Sequence, residues 1–146
     1  MTDLDLRVSL LHNVGLFSTC TDEELSRIAG LATPRNATAG DVLCAEGADG
    51  DDFFVVVQGS AEVKVGGDKV AELGDGDFFG EMALIDGGGR TATITATSPM
   101  SLLVLSRGDF NSMLSSAMPH VAPKLMEVMG ERIRGLAAHA DQPLPY

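Results

Sequence analysis

The chain of 146 residues has no tryptophan, one tyrosine and two cysteines. It carries 10 Lys and Arg against 21 Asp and Glu, a formal charge of −11. So few basic residues argue against a dedicated nucleic-acid or anionic-membrane surface, because both need a positive field. The expected partners therefore include no DNA and no inserted membrane. A small anionic ligand held by one or two buried cations remains compatible with this balance. Cys20 and Cys44 lie far apart, with no CxxC spacing and no disulfide framework, which points to a reducing, cytoplasmic setting. No apolar run approaches the roughly 18 to 20 residues of a membrane helix. The opening MTDLDLR lacks the basic and apolar regions of a secretory signal. Catalytic signatures are scarce as well. His12, His120 and His139 fall in no HExxH-type pair, and the sequence has neither a GxSxG elbow nor a GxxxxGK[ST] loop. Gly74–Gly80 imitates a GxGxxG loop with the wrong spacing and no βαβ unit around it. Asp49, Asp51 and Asp52 lack the spacing and closing Glu of an EF-hand, so a solvated turn is the better reading. No enzyme is expected.

What the sequence does contain is 45% hydrophobic residues and 17 glycines, enough for one domain with a core of its own. The ends read helical. Leu6, Leu10, Leu11 and Val14 follow near-helical spacing. Thr21 to Glu24 forms a capping box ahead of the stripe Leu25, Ile28, Ala29 and Ala32, and Pro34 closes the segment. The middle reads β. Phe53–Val57 fits a strand buried on both faces, while Ala61–Val65 and Thr91–Ala96 alternate as half-exposed strands do. Lys69–Leu73 and Leu102–Leu105 complete the set, with turns at Gln58–Ser60 and Gly66–Asp68. Strands recurring every 8 to 12 residues predict an antiparallel sandwich or barrel. After Leu105 the helical period returns. Ser106–Asp109 can cap a helix burying Phe110, Met113, Leu114 and Ala117, and a last helix carries Leu125, Met129, Ile133 and Leu136, interrupted by Gly130 and Gly135.

One segment inside the β region, Phe78 to Thr93, stands out. Glu81–Ile85 is helix-compatible, and a helix start there would aim free backbone N–H groups at an anion. Gly80 lets the backbone approach a ligand closely. The glycine run 87–89 returns the chain sharply and brings Arg90 back toward that helix start. Arg90 is the segment's only strong cation, and its fork suits phosphate oxygens. On these grounds alone, a strand-end ion pair between Arg90 and Glu81 is an equal reading.

The string Phe79-Gly80-Glu81-Met82-Ala83-Leu84 … Arg90-Thr91-Ala92-Thr93 closely resembles the phosphate-binding cassette of the cyclic nucleotide-binding domain family. The resemblance extends through Gly15–Ser18, Thr21–Leu25, Gly40–Leu43, Glu46-Gly47, Asp52–Val56 and Gly59–Val63, and covers about Leu10 to Arg134. It implies an α+β fold: an antiparallel, jelly-roll-like β-roll with N-terminal helices, a short phosphate-cassette helix and C-terminal hinge or lid helices. A single domain over 1–146 is expected, with helices in 1–34, the β-roll in 35–106 with its cassette at 78–93, and C-terminal helices in 107–140. By the same resemblance Arg90 pairs with the cyclic phosphate and Glu81 accepts from the ribose 2′-OH. The backbone of Gly80, Met82, Ala83 and Ala92 lies around the sugar-phosphate, and Thr91 bonds the phosphate and reaches toward the base. Val63, Val70, Ala71 and Leu73 match the family's apolar wall, although plain β-roll core is an equal reading for each. Arg132 falls near a base-capping position of channel-type members; an exposed helix charge is the slightly favoured reading there. Gly89 departs from the family's frequent Pro, which loosens the loop before Arg90.

The implied function is a stand-alone cyclic nucleotide sensor acting in trans on an effector protein, since no helix-turn-helix, kinase or channel segment is seen. A scaffold subunit with the same fold but no use for nucleotide is the alternative, and the intact Glu81 and Arg90 argue against it. The expected ligand is cAMP, with cGMP second. The last helix is expected to be a lid that orders on the ligand, and its apolar stripe leaves a homodimer through it among the expected partners.

Overall fold

In the computed structural model of the chain, residues 3–48, 52–80, 92–113, 120, 121, 123 and 125–127 are described. The helical opening is α1 (Asp3–Leu11), a short 3-10 turn (Gly15–Phe17) and α2 (Asp22–Leu31). The start of α2 has the capping box expected of it. Thr21 Oγ1 accepts from the Glu24 N–H at 3.2 Å, and Glu24 Oε1 accepts from the Thr21 N–H at 2.9 Å. Such a cap satisfies two of the helix's orphan donors and is worth about 1 kcal/mol. Of the predicted stripe, Leu11, Val14, Leu25, Ile28 and Ala29 are buried, whereas Leu6 is half exposed. On α1 it is Val8, with Leu11, that packs on the helix-side core, a face the spacing of Leu6 did not indicate.

Eight strands follow: β1 (Thr33–Ala37), β2 (Val42–Cys44), β3 (Asp52–Gln58), β4 (Ala61–Val65), β5 (Asp68–Leu73), β6 (Phe78–Phe79), β7 (Thr93–Ala96) and β8 (Met100–Ser106). They form two four-stranded antiparallel sheets, ordered β1-β8-β3-β6 and β2-β7-β4-β5. This is a jelly-roll arrangement, in agreement with the expected class. Pro34 lies within β1, an edge strand, where a missing N–H is tolerated.

Two apolar layers hold the fold together, and β3 feeds both. Phe53 and Val55 face the helices with Leu103, Leu105, Phe78 and Phe110. Phe54 and Val56 face the second sheet with Leu102, Phe79, Val63 and Ile94. The run Phe53–Val56 is therefore buried on both faces because its sheet is covered by helices on one side and by the other sheet on the other. Ring stacking reinforces each layer. Phe53 and Phe110 centroids lie 4.4 Å apart, and Phe54 and Phe79 centroids 4.7 Å apart. Helix α3 (Arg107–Ser112) starts at Ser106, whose Oγ accepts from the Asp109 N–H at 3.3 Å, and it buries Phe110 as predicted. Met113, Val121 and Leu125 join the helix-side layer. Leu114, Ala117, Met129, Ile133 and Leu136 lie outside the described residues. Among the described residues no helix is long and apolar enough to cross a membrane.

Candidate functional site

The segment from Gly80 to Ala92 is framed by two anchored strand ends in different sheets. On one side, Phe79 pairs with Phe54 across β6 and β3 and is fully buried. On the other, β7 pairs with β4 and with β2, and Ala92, Ile94 and Ala96 point into the layer between the sheets. The chain therefore leaves one sheet at Phe79 and enters the other at Thr93. Gly80 stands at the exit with φ +95°, a conformation that suits glycine.

The approach to β6 is braced by carboxylates. Asp77 Oδ2 accepts from the Gly74 N–H at 2.8 Å, closing the 74–77 turn, and Asp75 Oδ1 accepts from the Gly59 N–H at 2.8 Å. The Gly76 N–H donates to the Val56 carbonyl at 2.8 Å, and the Val56 N–H to the Asp77 carbonyl at 2.7 Å. The glycine-rich string that imitates a dinucleotide loop is thus a turn fastened to β3. At the other end, Thr93 Oγ1 accepts from the Glu46 N–H at 3.0 Å, while Glu46 Oε1 accepts from the Gly66 N–H at 2.8 Å. Glu46 thereby ties the loop after β2, the β4–β5 turn and the start of β7 together. The sequence reading assigned Glu46 no role; only its place in the family pattern hinted at one.

The predicted site residues fall into three groups. Gly80 and Ala92 sit at the two ends of the crossing, Ala92 being buried. Of the predicted apolar wall, Val63 and Leu73 are buried in the layer between the sheets, opposite Ala71 and Ala61 in the β4–β5 register. Val70 and Ala71 are half-buried, packed against that layer with surface left open. Glu81, Met82, Ala83, Arg90, Thr91 and Arg132 lie outside the described residues, as do the predicted Glu81–Ile85 helix and most of the predicted lid. On the open side of β5, Lys69 Nζ donates to Glu72 Oε1 at 2.5 Å. That bond holds the Glu72 carboxyl below its usual range and the Lys69 ammonium above its own.

The fold is a two-sheet antiparallel jelly roll with flanking helices, an architecture that serves many unrelated functions. A family profile described as "Cyclic nucleotide-binding domain" matches residues 34–117. The chain belongs to this family. It is 40% identical, over 126 residues, to a cyclic nucleotide-gated potassium channel of Rhizobium etli, covering 86% of this chain and 35% of the channel. A cAMP-dependent protein kinase regulatory subunit of Hypocrea atroviridis is 32% identical over 106 residues, 73% of this chain and 23% of that one. Among solved structures, the Thermus thermophilus catabolite activator protein superimposes with a TM-score of 0.75 at 29% identity, covering 87% of this chain and 62% of that one. The chain spans about a third or less of the length of these two curated relatives.

Proposed function

We propose that this chain is a cAMP sensor, with cGMP the weaker ligand, which binds nucleotide in the crossing between β6 and β7 and signals its occupancy to an effector protein. The observation that carries the reading is the pairing of the cassette sequence with its frame. Glu81 and Arg90 lie between two strand ends that are each locked into the same apolar layer. Arg90 pairs with the cyclic phosphate, and Glu81 accepts from the ribose 2′-OH. The Gly80, Met82, Ala83 and Ala92 backbone lines the sugar-phosphate, with Thr91 between phosphate and base. Val70 and Ala71 fit a base wall best, because they keep open apolar surface; Val63 and Leu73 support them from the core. Arg132 and the last predicted helix form the lid, and the effector or a second copy of the chain reads the lid's position. Nothing in these roles requires catalysis: the chain binds and releases nucleotide unchanged.

Thermal unfolding with cAMP, cGMP and 5′-AMP tests the reading. A ligand at a hundred times its Kd adds about 2.7 kcal/mol to the folded state. A rise in Tm with cAMP that exceeds the rise with cGMP, and none with 5′-AMP, is expected. Equal behaviour of all three, or no shift, contradicts it and favours a scaffold with no use for nucleotide. Recovery of 5′-AMP after incubation with cAMP would contradict the non-enzymatic role.

A further inference from the structure

Away from the β6–β7 crossing, the fold gathers one cysteine, one glutamate and one histidine that are dispersed in sequence. Cys20 and Glu24 bracket the start of α2, and His120 arrives from 96 residues further along. One ligand atom from each, the thiol Sγ, a carboxylate oxygen and a ring nitrogen, lies within 4.8 Å of the other two. Their neighbours fix which atoms face the centre. Glu24 Oε1 is taken by the Thr21 N–H in the helix cap, so Oε2 is the oxygen directed at His120 Nε2, 2.7 Å away. The other ring nitrogen, Nδ1, lies 3.0 Å from Thr19 Oγ1. An imidazole held through one nitrogen by a hydroxyl and a carboxylate held through one oxygen by a backbone N–H are the outer supports that metal ligands ordinarily have. Neither cysteine of the chain forms a disulfide.

We propose that Cys20 Sγ, Glu24 Oε2 and His120 Nε2 form a binding site for one divalent ion of the zinc class, fastening the start of α2 to the His120 segment. The donor set chooses the ion. Thiolate and imidazole select Zn²⁺ or Co²⁺ over Mg²⁺ and Ca²⁺, which want oxygen. Zinc bonds of about 2.0–2.3 Å put neighbouring tetrahedral donors roughly 3.3–3.8 Å apart. The three donors therefore need shifts of only about 1 Å from where they stand, with water as the fourth ligand. In the absence of the ion, burial and the nearby Glu24 carboxylate push the Cys20 thiol up to about 11, so it is a protonated, unreactive thiol. Binding displaces the thiol proton, and the neutral imidazole ligates through Nε2 as its Nδ1–H tautomer, with Thr19 Oγ1 placed to accept from Nδ1. The thiol proton goes to solvent, and no electron moves. The site stands independently of the nucleotide reading.

The test is a titration of chelator-treated, untagged protein with Co²⁺. One Co²⁺ per chain is expected, with a thiolate-to-cobalt charge-transfer absorption that one equivalent of Zn²⁺ removes. C20S should abolish that absorption, H120Q should weaken Co²⁺ binding at least about tenfold, and C44A should change neither. No charge-transfer band in the wild type, or a band that survives C20S and disappears in C44A, overturns the proposal. The His120 ring is 40% exposed, so H120Q keeps the core intact even if C20S fails to fold. Unchanged Co²⁺ affinity in a folded H120Q protein also overturns it.

Discussion

Gly59→Ala puts the crossing from β3 to β4 to a direct energetic test. Gly59 has φ +112°, and a Cβ built on it would sit 2.5 Å from the Pro99 carbonyl oxygen and 2.8 Å from Met100 Cα. The left-handed backbone costs an L-residue about 1–2 kcal/mol. The clash is with backbone, which has no rotamer to escape into, and overpacking of this kind adds about 1–3 kcal/mol. The sum is a loss of about 2–5 kcal/mol. Gly40→Ala supplies the internal control, since Gly40 has φ +96° and nothing within 4 Å of an added Cβ. It should lose only the backbone part, about 1–2 kcal/mol. Urea unfolding of both variants and the parent, with m-values checked for constancy, reads the two costs. The gap between them measures how closely the 58–60 turn packs on the 99–100 segment. Equal losses for the two variants would refute the close approach and with it the path of the chain between the sheets.

Phe79→Ala removes a fully buried ring stacked on Phe54 at the root of the crossing, and should cost about 3–5 kcal/mol in the same assay; a loss under 1 kcal/mol would mean that β6 is not anchored as described. Glu81→Ala should weaken cAMP binding much more than binding of the 2′-deoxy cyclic nucleotide, which lacks the hydroxyl donor. Equal losses for both ligands, read by calorimetry, would remove the ribose role from Glu81. Amide exchange over residues 124–138 should slow when nucleotide saturates the protein. Unchanged protection would end the lid mechanism while leaving the cassette assignment standing.

Much of the architecture could be read from local pattern. The Phe53–Val57 run reads as doubly buried because no polar residue interrupts it, and its alternate side chains do enter two different layers. Thr21 and Ser106 announced their helices because capping is a short-range event that three residues encode. What was not legible depends on distant parts of the chain. The turns at Gln58–Ser60 and Gly66–Gly67 look alike in sequence. The second closes a true hairpin, whereas the first carries the chain from one sheet to the other. Glu46 shows no signal of bracing Gly66 and Thr93, because its partners lie 20 and 47 residues away. For the same reason His120 reads as an isolated histidine until the fold sets it beside Cys20 and Glu24. The cassette reading rests on its resemblance to a family, since residue spacing alone left Arg90 balanced between a phosphate and an ion pair with Glu81.

The most direct test of the central claim is calorimetric titration of cAMP into the parent chain and Arg90→Ala. Removing one partner of a buried charge pair costs about 3–5 kcal/mol, roughly a hundredfold or more in affinity. The account predicts saturable binding of one cAMP per chain in the parent and a loss of at least that size in Arg90→Ala, with the variant's Tm in the absence of nucleotide unchanged. Absence of binding in the parent, or less than tenfold weakening in the variant, would contradict it.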